Sequence, residues 1–325
     1  LIGGNIQLQA KVTPGNVFTN VGDPVPIVGA YVNNSTQIPV DSSQYSSLAD
    51  FGDNLSIYHT ALVTDVAGNE RVFNTSNKTV LIDVTPPTFA SATSTEPNGY
   101  YSVGDTVTFS ATFDDSVTRS DNGTIWTAYL NSGHSITGQI EAGNMLTMNF
   151  TDTVNTGDAS PDFGITSIVI TEGTLRDIAG NDMSTFTIPD GNNISDSKNI
   201  YIDGVAPANF TLTSVTTVVD SVYPAYFNSV NSGLIIPVEL DNDTTLIGGT
   251  IQIVAMVDTT GNFPPDFDTT NIGSPYTILE SDLPPTDSVA MSLSDDDLES
   301  SSSLADLRSI YFAASVTDVA GNSTE

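Results

Sequence analysis

Short runs in which apolar and polar residues alternate recur along the whole chain, and this period of two predicts β-strands. The run from Ile57 to Thr64 places its odd-numbered residues on one face and its even-numbered residues on the other, and the run from Ile310 to Val316 keeps the same phase. Further alternating or β-branched runs are Thr106–Phe113, Ile165–Ile170, Thr185–Ile188, Leu234–Leu240 and Thr250–Val257. Clusters of Gly, Asn, Asp and Pro separate these runs at hairpin-like spacing, and no long stretch carries the period of a capped helix.

The pattern therefore predicts an all-β fold. Many short strands with turn residues between them are typical of a β-sandwich of the immunoglobulin kind. The chain has no cysteine, so the disulfide of antibody domains is missing. We predict tandem immunoglobulin-like β-sandwich domains in a linear array.

Internal repeats divide the chain into units, and we search for them before assigning domains. The phrase Val-Thr-Asp-Val-Ala-Gly-Asn occurs at Val63–Asn69 and again at Val316–Asn322, and a looser copy lies at Leu175–Asn181. The first ten residues also match residues 246–255, and both copies contain a Leu-Ile-Gly-Gly segment. We refer to the shared five-residue element, at 65–69, 177–181 and 318–322, as the DxAGN turn.

These repeats predict three domains of two types. Residues 1–84 and 205–325 are two copies of a type A domain, and residues 85–204 form a type B domain. The first copy lacks the counterpart of Ala206–Thr245, and the last copy lacks the counterpart of Glu70–Asp83. We expect the chain to be a window from a longer array in which the two types alternate.

Charge changes the functional picture more than the fold. There are 39 acidic residues against 7 basic ones, a formal net charge of −32. Such a field repels nucleic acid and anionic membranes and attracts cations, so we expect no nucleic-acid partner. No apolar run approaches the ~20 residues of a membrane span, so we expect no direct span in this segment.

The DxAGN turn and the junctions that follow it carry a family resemblance. Junction sequences with an Asp and a nearby Pro occur at Ile82–Pro87 and Ile202–Pro207, and an Asn-Gly-Tyr and Val-Gly-Asp pattern opens the central unit within Pro97–Val107. With the turn at Thr174–Asn181, these motifs resemble the Ig-like repeats of giant bacterial and archaeal surface proteins, such as surface-layer proteins and adhesin stalks. The resemblance covers Thr85–Asp203 and the C-terminal half of the flanking units.

This resemblance implies an Ig-like fold, an extracellular location at the cell surface, and Ca²⁺ held by Asp residues at the domain junctions. It does not choose between a wall component and a stalk, because one fold serves many functions. The Leu-Ile-Gly-Gly segments depart from the family pattern.

Two interpretations of the DxAGN turn remain open. Gly supplies a positive φ, Asn tolerates the left-handed region and Asp accepts from nearby N–H groups, which suffices for a tight turn without metal. Alternatively the turn supplies oxygen ligands to Ca²⁺, which needs 6–8 of them, so a junction Asp of the same unit or a loop of a neighbouring unit must contribute. The candidate metal ligands are Asp65, Asn69, Asp83, Asp105, Asp114, Asp115, Asp177, Asn181, Asp203, Asp318 and Asn322.

Other charged and prolyl segments have plainer interpretations. Pro86, Pro87 and Pro207 stiffen the junctions and stop strand pairing between domains. The acidic run Asp295–Glu299 is expected to be a solvated loop.

Catalysis has little support, and we predict that the protein is not an enzyme. The histidines His59 and His134 are isolated in sequence, and no nucleophile or phosphate-binding motif is present. His59 takes the place of Phe312 on the core-facing side of its strand. The adjacent carboxylates Asp114 and Asp115 point to opposite faces of a strand, which does not suit a glycosidase pair.

Sequons for N-glycosylation are frequent, and N-glycans are therefore predicted partners. Asn149 is expected to be the poorest acceptor, because it lies in an apolar run. The sequon asparagines are Asn33, Asn34, Asn54, Asn74, Asn77, Asn122, Asn149, Asn193, Asn209, Asn242 and Asn322.

Three hypotheses for function follow. The first is a structural extracellular protein whose tandem domains form part of a surface layer, sheath or filament, with copies of itself or neighbouring domains as partners. The second is the stalk of a cell-surface adhesin. The third is a polysaccharide-binding module, which requires an exposed aromatic row built from Trp126, Tyr129, Tyr100 and Tyr101.

Overall fold

A computed structural model describes residues 1–12, 17–31, 35–73, 79–120, 123–218, 226–228, 230–258, 267–285, 288–299 and 310–325. Strands dominate these residues, and the helices are single turns. The predicted all-β class is confirmed. The sequons at Asn33, Asn34, Asn74, Asn77 and Asn122 lie outside the described residues.

The first part of the chain forms one sheet in which β1 and β4 are central neighbours. They pair antiparallel along their whole length, from Asn5 opposite Thr64 to Val12 opposite Ile57. The shorter strands flank this pair, and a 3₁₀ turn and one helical turn lie between β3 and β4. The elements are β1 Asn5–Val12, β2 Thr19–Asn20, β3 Val25–Pro26, the 3₁₀ turn Gly29–Tyr31, α1 Ser42–Ser46, β4 Ser56–Thr64, β5 Glu70–Phe73 and β6 Thr79–Leu81.

The middle part of the chain holds three sheets. One follows the order β12-β9-β15 with β7 also paired to β9, a second follows β11-β10-β14, and a small third follows β13-β16-β8. The elements are β7 Phe89–Ser94, β8 Gly99–Tyr101, β9 Thr106–Arg119, β10 Ile125–Leu130, β11 Ser135–Gln139, β12 Met145–Thr153, β13 Ala159–Ser160, β14 Ile165–Glu172, β15 Leu175–Asp177, α2 Ile194–Ser197 and β16 Ile200–Asp203.

The last part of the chain holds two four-stranded sheets. In one, β19 pairs with β17, β18 and β22, and the other follows the order β21-β20-β23-β24. The elements are β17 Thr211–Leu212, β18 Thr216–Val218, β19 Gly233–Glu239, the 3₁₀ turn Thr244–Leu246, β20 Thr250–Asp258, β21 Phe267–Thr277, the 3₁₀ turn Glu280–Asp282, β22 Val289–Ser294, α3 Asp295–Glu299, β23 Ile310–Thr317 and β24 Ser323–Thr324.

In the middle and last parts of the chain, alternation along the strands buries one face of a sheet against another sheet. In the middle part, Phe109 of β9 and Phe150 of β12 share one core with Ala128 of β10 and Ile168 of β14. In the last part, Ile236 of β19 shares a core with residues of β20 and β23. This is the packing of a β-sandwich. Three separate clusters form the core of the described residues, while the domain limits at 84 and 204 stay a prediction.

Two local predictions were wrong. Residues 185–188 are extended but form no strand; Pro189 follows them and has no N–H for a ladder, and Phe186 and Ile188 still pack against the core. The acidic run Asp295–Glu299 is a helical turn rather than a loop. Ser294 caps it, because its hydroxyl accepts from the Asp297 N–H while the Asp297 carboxylate accepts from the Ser294 N–H.

The Leu-Ile-Gly-Gly segments lie directly before β1 and β20, and their glycines have two separate tasks. Gly3 and Gly248 have φ of 92° and 89°, which a side chain disfavours. A Cβ on Gly4 would lie 2.1 Å from the carbonyl oxygen of Thr64, and a Cβ on Gly249 would lie 2.2 Å from that of Thr317. The second glycine therefore lets the chain cross closely over the strand that leads into the DxAGN turn.

No helix among the described residues is long and apolar enough to cross a membrane.

We predict that Gly249→Ala lowers the free energy of unfolding by about 1–3 kcal/mol, since the added methyl group meets a strand backbone that cannot move aside cheaply. Calorimetry or denaturant unfolding of the full chain measures the loss. Gly52→Ala is the matched control, because its Cβ would meet nothing closer than 3.8 Å, and its effect should stay within about 0.5 kcal/mol. Equal losses in the two variants would contradict this account of the second glycine.

Candidate metal centre

The DxAGN turn folds in the same way in all three copies. In the copy at 318–322, the Asp318 N–H donates to the carbonyl oxygen of Asn322 at 2.9 Å, and the Asp318 carboxylate accepts from the N–H groups of Gly321 and Asn322. Gly321 has a φ of 101°, as the sequence predicts for this position. The turn is thus closed by hydrogen bonds alone, and its Asn side chain also donates to the carboxylate of the turn aspartate, at 2.9 Å in this copy.

The turn at 177–181 meets the junction that precedes the middle part of the chain. Asn181 Nδ2 donates to the carbonyl oxygen and to Oδ1 of Asp83, both at 3.2 Å, and to Oδ2 of Asp177 at 2.8 Å. Asp115 of β9 completes an acidic group, because one oxygen of each of Asp83, Asp115 and Asp177 lies within 4.8 Å of the others. This group is the first junction site.

The turn at 318–322 meets the following junction in the same manner. Asn322 Nδ2 donates to the carbonyl oxygen of Asp203 at 2.8 Å and to Oδ2 of Asp318 at 2.9 Å. Asp203 is 7% exposed and Asp318 is 3% exposed. Oδ2 of Asp203 is buried without a hydrogen-bond partner among the described residues, while Oδ1 accepts from the Val205 N–H at 3.1 Å. These residues form the second junction site.

The charged forms of the two junction carboxylates, Asp83 and Asp203, are destabilised by their surroundings. Burial raises the pKa of Asp203, and the negative charges of Asp318 and Asp243 raise it further against the hydrogen bond from Val205. Burial also raises the pKa of Asp83, where Asp177, Asp53 and Asp115 add to the effect and the Thr85 N–H opposes it. Each junction therefore holds a carboxylate whose charged form is destabilised by neighbours of the same sign.

The turn aspartate of the first junction site behaves differently. Burial would raise the pKa of Asp177, but hydrogen bonds from Asn181 and from neighbouring backbone N–H groups lower it by more. Asp177 thus stays charged beside Asp83, and the pairing leaves an excess of negative charge in one place. Oxygen-rich sites of this charge suit hard divalent cations.

Ca²⁺ fits the residues that are present. At the second junction site, Oδ2 of Asp203 is a buried acceptor without a donor among the described residues, and a bound cation would satisfy it. Asp203 and Asp318 would hold the ion there, and Asp83, Asp115 and Asp177 would hold it at the first junction site. Water commonly completes the 6–8 oxygens that Ca²⁺ requires.

The sequence left two partners open for each turn, the junction Asp of its own unit or a loop of a neighbouring unit. The structure does not pair a turn with the junction Asp of its own unit. The junction Asp belongs to the unit before the turn, so Asp83 lies with Asp177 rather than Asp65, and Asp203 lies with Asp318 rather than Asp177. The reason is geometric. The junction leads out of one unit toward the next, and the turn of that next unit receives it.

Four predicted ligands, Asp65, Asn69, Asp105 and Asp114, lie apart from this arrangement. Asp105 accepts from the N–H and hydroxyl of Ser102 within the β8–β9 turn, and Asp114 accepts from the N–H and hydroxyl of Thr88. Asp65 binds only within its own turn, where Asn69 Nδ2 donates to it at 2.9 Å.

Sequence reasoning overlooked two aspartates near the junctions. Asp53 accepts from the Val84 N–H at 2.9 Å, and its charge raises the pKa of Asp83. Asp243 holds the N–H and hydroxyl of Thr245, and its charge acts on Asp203. The available signal was position, since Asp243 stands three residues before Leu246 of the Leu-Ile-Gly-Gly repeat, and Asp53 stands three residues before Ser56, where the strand that leads into a DxAGN turn begins.

The two histidines are isolated in the sequence, but each contacts another side chain in the structure. His59 contacts Tyr45, whose hydroxyl lies 3.0 Å from Nε2, and burial lowers its pKa. His134 Nδ1 lies 2.6 Å from Oδ1 of Asp152, which is 4% exposed. His59 therefore links β4 to α1, and His134 links the turn before β11 to β12.

The aromatic row that a polysaccharide-binding module would require is not formed by these four residues. Trp126 packs edge-to-face on Phe150 at 4.8 Å on the core side of β10, and Tyr129 points to the opposite side of the same strand. Tyr100 stacks on Tyr201 at 4.7 Å, and the Tyr101 hydroxyl donates to the Pro97 carbonyl. The four rings do not make a platform for a sugar chain.

Among the described sequons, availability differs from expectation. Asn149 is exposed on the outer face of β12, so burial does not exclude it. Asn193 caps α2 and bonds to Ile165, and Asn322 holds the second junction. Asn54, Asn209 and Asn242 are exposed.

We predict that Asn322→Ala costs more stability than Asn69→Ala. Both variants lose the bond to the turn aspartate, but only the first also leaves the Asp203 carbonyl without its donor across the junction, a difference of about 1–3 kcal/mol for a buried acceptor. Calorimetry of the two full-length variants measures it. Equal losses would show that the cross-junction bond contributes nothing.

Comparisons with known proteins give a likeness in solved structures only. No protein family and no curated protein matches the sequence. A solved structure from a 1.5-MDa bacterial ice-binding adhesin, described for its host cell surface retention, is similar over 100% of this chain and 84% of its own, with a TM-score of 0.41 and 14% identity. The FN1–FN3 domains of chicken CNTN1 are similar over 98% of this chain and 85% of theirs, with a TM-score of 0.25 and 11% identity. These values are too low to carry either protein's function over to this chain.

Proposed function

We propose that this chain is a structural spacer in an extracellular cell-surface protein, and that divalent cations, Ca²⁺ in particular, bind between its units and stiffen the array. Surface layers, sheaths, filaments and adhesin stalks all need such a spacer. The proposal gives the chain neighbouring domains or copies of itself as partners and no catalytic role.

One observation carries the proposal. The same joint occurs at two successive junctions, where the Asn of a DxAGN turn donates to the main-chain carbonyl of the Asp that ends the preceding unit. A joint that repeats in this way fixes one unit on the next, as a spacer requires. A binding module has no need to repeat it.

The cation follows from the charge balance of that joint. Each junction gathers carboxylates whose mutual repulsion opposes the contact, and the amide N–H groups of Asn181 and Asn322 carry only partial positive charge. A divalent ion would neutralise the group and link atoms from two units. Binding to the folded state alone would then stabilise that state in proportion to the logarithm of the ion concentration.

We predict that Ca²⁺ raises the melting temperature of the full chain by several degrees and that EGTA reverses the rise, since an ion at 100 times its Kd contributes about 2.7 kcal/mol. Differential scanning calorimetry measures the shift. Asp203→Asn should reduce the response by removing a ligand, while Asp65→Asn, in a turn with no junction partner among the described residues, should retain it. A wild-type melting temperature that ignores both Ca²⁺ and EGTA would overturn the cation proposal.

We predict opposite pH dependences for those two variants when EGTA is present. The raised pKa of Asp203 means that its charge costs stability at neutral pH, and this cost disappears as the pH falls through that pKa toward the ordinary value of 3.8. Hydrogen bonds from the Asn69 side chain and N–H, the larger effects, lower the pKa of Asp65, so its contribution is present above 3.8 and lost below.

Unfolding free energies between pH 3 and pH 7 test this sign difference. As the pH falls, the unfolding free energy of the wild-type chain should rise relative to that of Asp203→Asn and fall relative to that of Asp65→Asn. If both differences move in the same direction, the electrostatic description of the second junction is wrong.

A further inference from the structure

The two predicted type A copies pair their central strands in the same register, Asn5 opposite Thr64 in one and Thr250 opposite Thr317 in the other, so their burial can be compared position by position. Gln7 Nε2 donates to the carbonyls of Leu8, Val21 and Gly22, and Gln252 Nε2 donates to those of Ile253, Ile272 and Gly273. β1 therefore corresponds to β20, and β4 to β23. What covers β20 and β23 can be looked for over β1 and β4.

The core-facing side of this strand pair is covered in one copy and partly open in the other. Ile251, Ile253, Ala314 and Val316 are at most 1% exposed and belong to one core with Leu234, Ile236 and Val238 of β19. Their counterparts Ile6, Leu8, Ala61 and Val63 are all partly exposed. The difference lies in the covering sheet, since the side chains themselves are equally apolar.

The edge of the open face shows the same difference. In the last part of the chain, β22 pairs with β19 from Gly233 opposite Ser294 to Val238 opposite Val289. Its counterpart, residues 35–41, precedes α1 as β22 precedes α3. Residues 35–40 keep the exposed and half-buried alternation of a strand, yet they belong to no strand and form no backbone–backbone hydrogen bond to another described residue.

Two apolar side chains of this segment are more exposed than their counterparts in β22. Met291 and Leu293 of β22 are 6% and 3% exposed, whereas the corresponding Ile38 and Val40 are both partly exposed. A segment that pairs with no other described strand and lies beside an apolar face is the usual acceptor for an added strand, because main-chain bonds supply affinity and alternate side chains supply specificity.

We propose that this surface, formed by Ile6, Leu8, Ile38, Val40, Ala61 and Val63, binds a β-strand of the chemistry of Gly233–Glu239. The strand adds antiparallel to residues 35–40, as β19 adds to β22, and lays alternate apolar side chains over Leu8 and Val63. It is the occupant because β19 covers the equivalent surface in the same chain. The proposal uses none of the junction residues, so it stands independently of the cation.

The test is a titration of a fluorescein-labelled peptide of residues 231–241 with the full chain, followed by fluorescence anisotropy in Ca²⁺ and in EGTA. A saturable rise in anisotropy is expected, together with slower hydrogen exchange at residues 35–40. The same peptide with Ile236→Asp is the control, since Ile236 is 0% exposed in the core, and it should bind at least tenfold more weakly.

Two variants of the full chain locate the site. Ile38→Lys should weaken peptide binding at least tenfold, and Val72→Lys, which places the same charge on an exposed position of β5, should leave it unchanged. Melting curves verify that both variants remain folded. Equal binding of the two peptides, or no saturable binding of the first, overturns the proposal.

Analytical ultracentrifugation tests the competing occupant. Concentration-dependent self-association of the wild-type chain that Ile38→Lys abolishes would mean that a second copy covers the face, which also overturns the proposal. A wild-type chain that stays monomeric while binding the peptide supports it.

Discussion

Everything at the junctions depends on one hydrogen bond from an Asn side chain to a main-chain carbonyl. Asn181 reaches Asp83 and Asn322 reaches Asp203, and in each case the same amide also bonds its own turn aspartate. The turn can present its amide because Asp and Gly complete the turn without it. The junction can accept a hydrogen bond from the amide because its Asp lies where one unit ends and the next begins.

Negative charge accumulates as a result. The contact brings the turn aspartate and the junction aspartate together, and at the first junction site Asp115 joins them. In a chain with 39 acidic and 7 basic residues, the described junctions show no Lys or Arg ion pair that could relieve the repulsion. An acidic exterior concentrates cations near the chain. The described junctions lack a Lys or Arg ion pair, so the two features complement each other.

The sequence predicted what local rules determine. Alternation identified the strands around Ile57–Thr64 and Thr250–Val257, and the turn residues predicted the positive φ of Gly68, Gly180 and Gly321. It missed what depends on neighbours. Residues 185–188 alternate like a strand but have no ladder, and α3 follows from a Ser-to-Asp capping pair inside an acidic run.

The site followed the same division. The residue types in the DxAGN turn and the junction were evident from the sequence, whereas the pairing of a junction with the following turn required the path of the chain. Asp53 and Asp243 carry no motif, and only proximity shows their influence on Asp83 and Asp203. The aromatic row is not formed because Trp126 and Tyr129 lie an odd number of residues apart on one strand and therefore point to opposite faces of the sheet.

The receiving atom of the joint is a peptide carbonyl, and that has an evolutionary consequence. A carbonyl is offered by every residue, so the amide places little demand on the sequence around the junction. Units as different as the first and middle parts of this chain can therefore share one connector. Duplication, loss or reordering of units leaves the connector intact, and a gene for such an array can change its length by recombination without redesigning an interface.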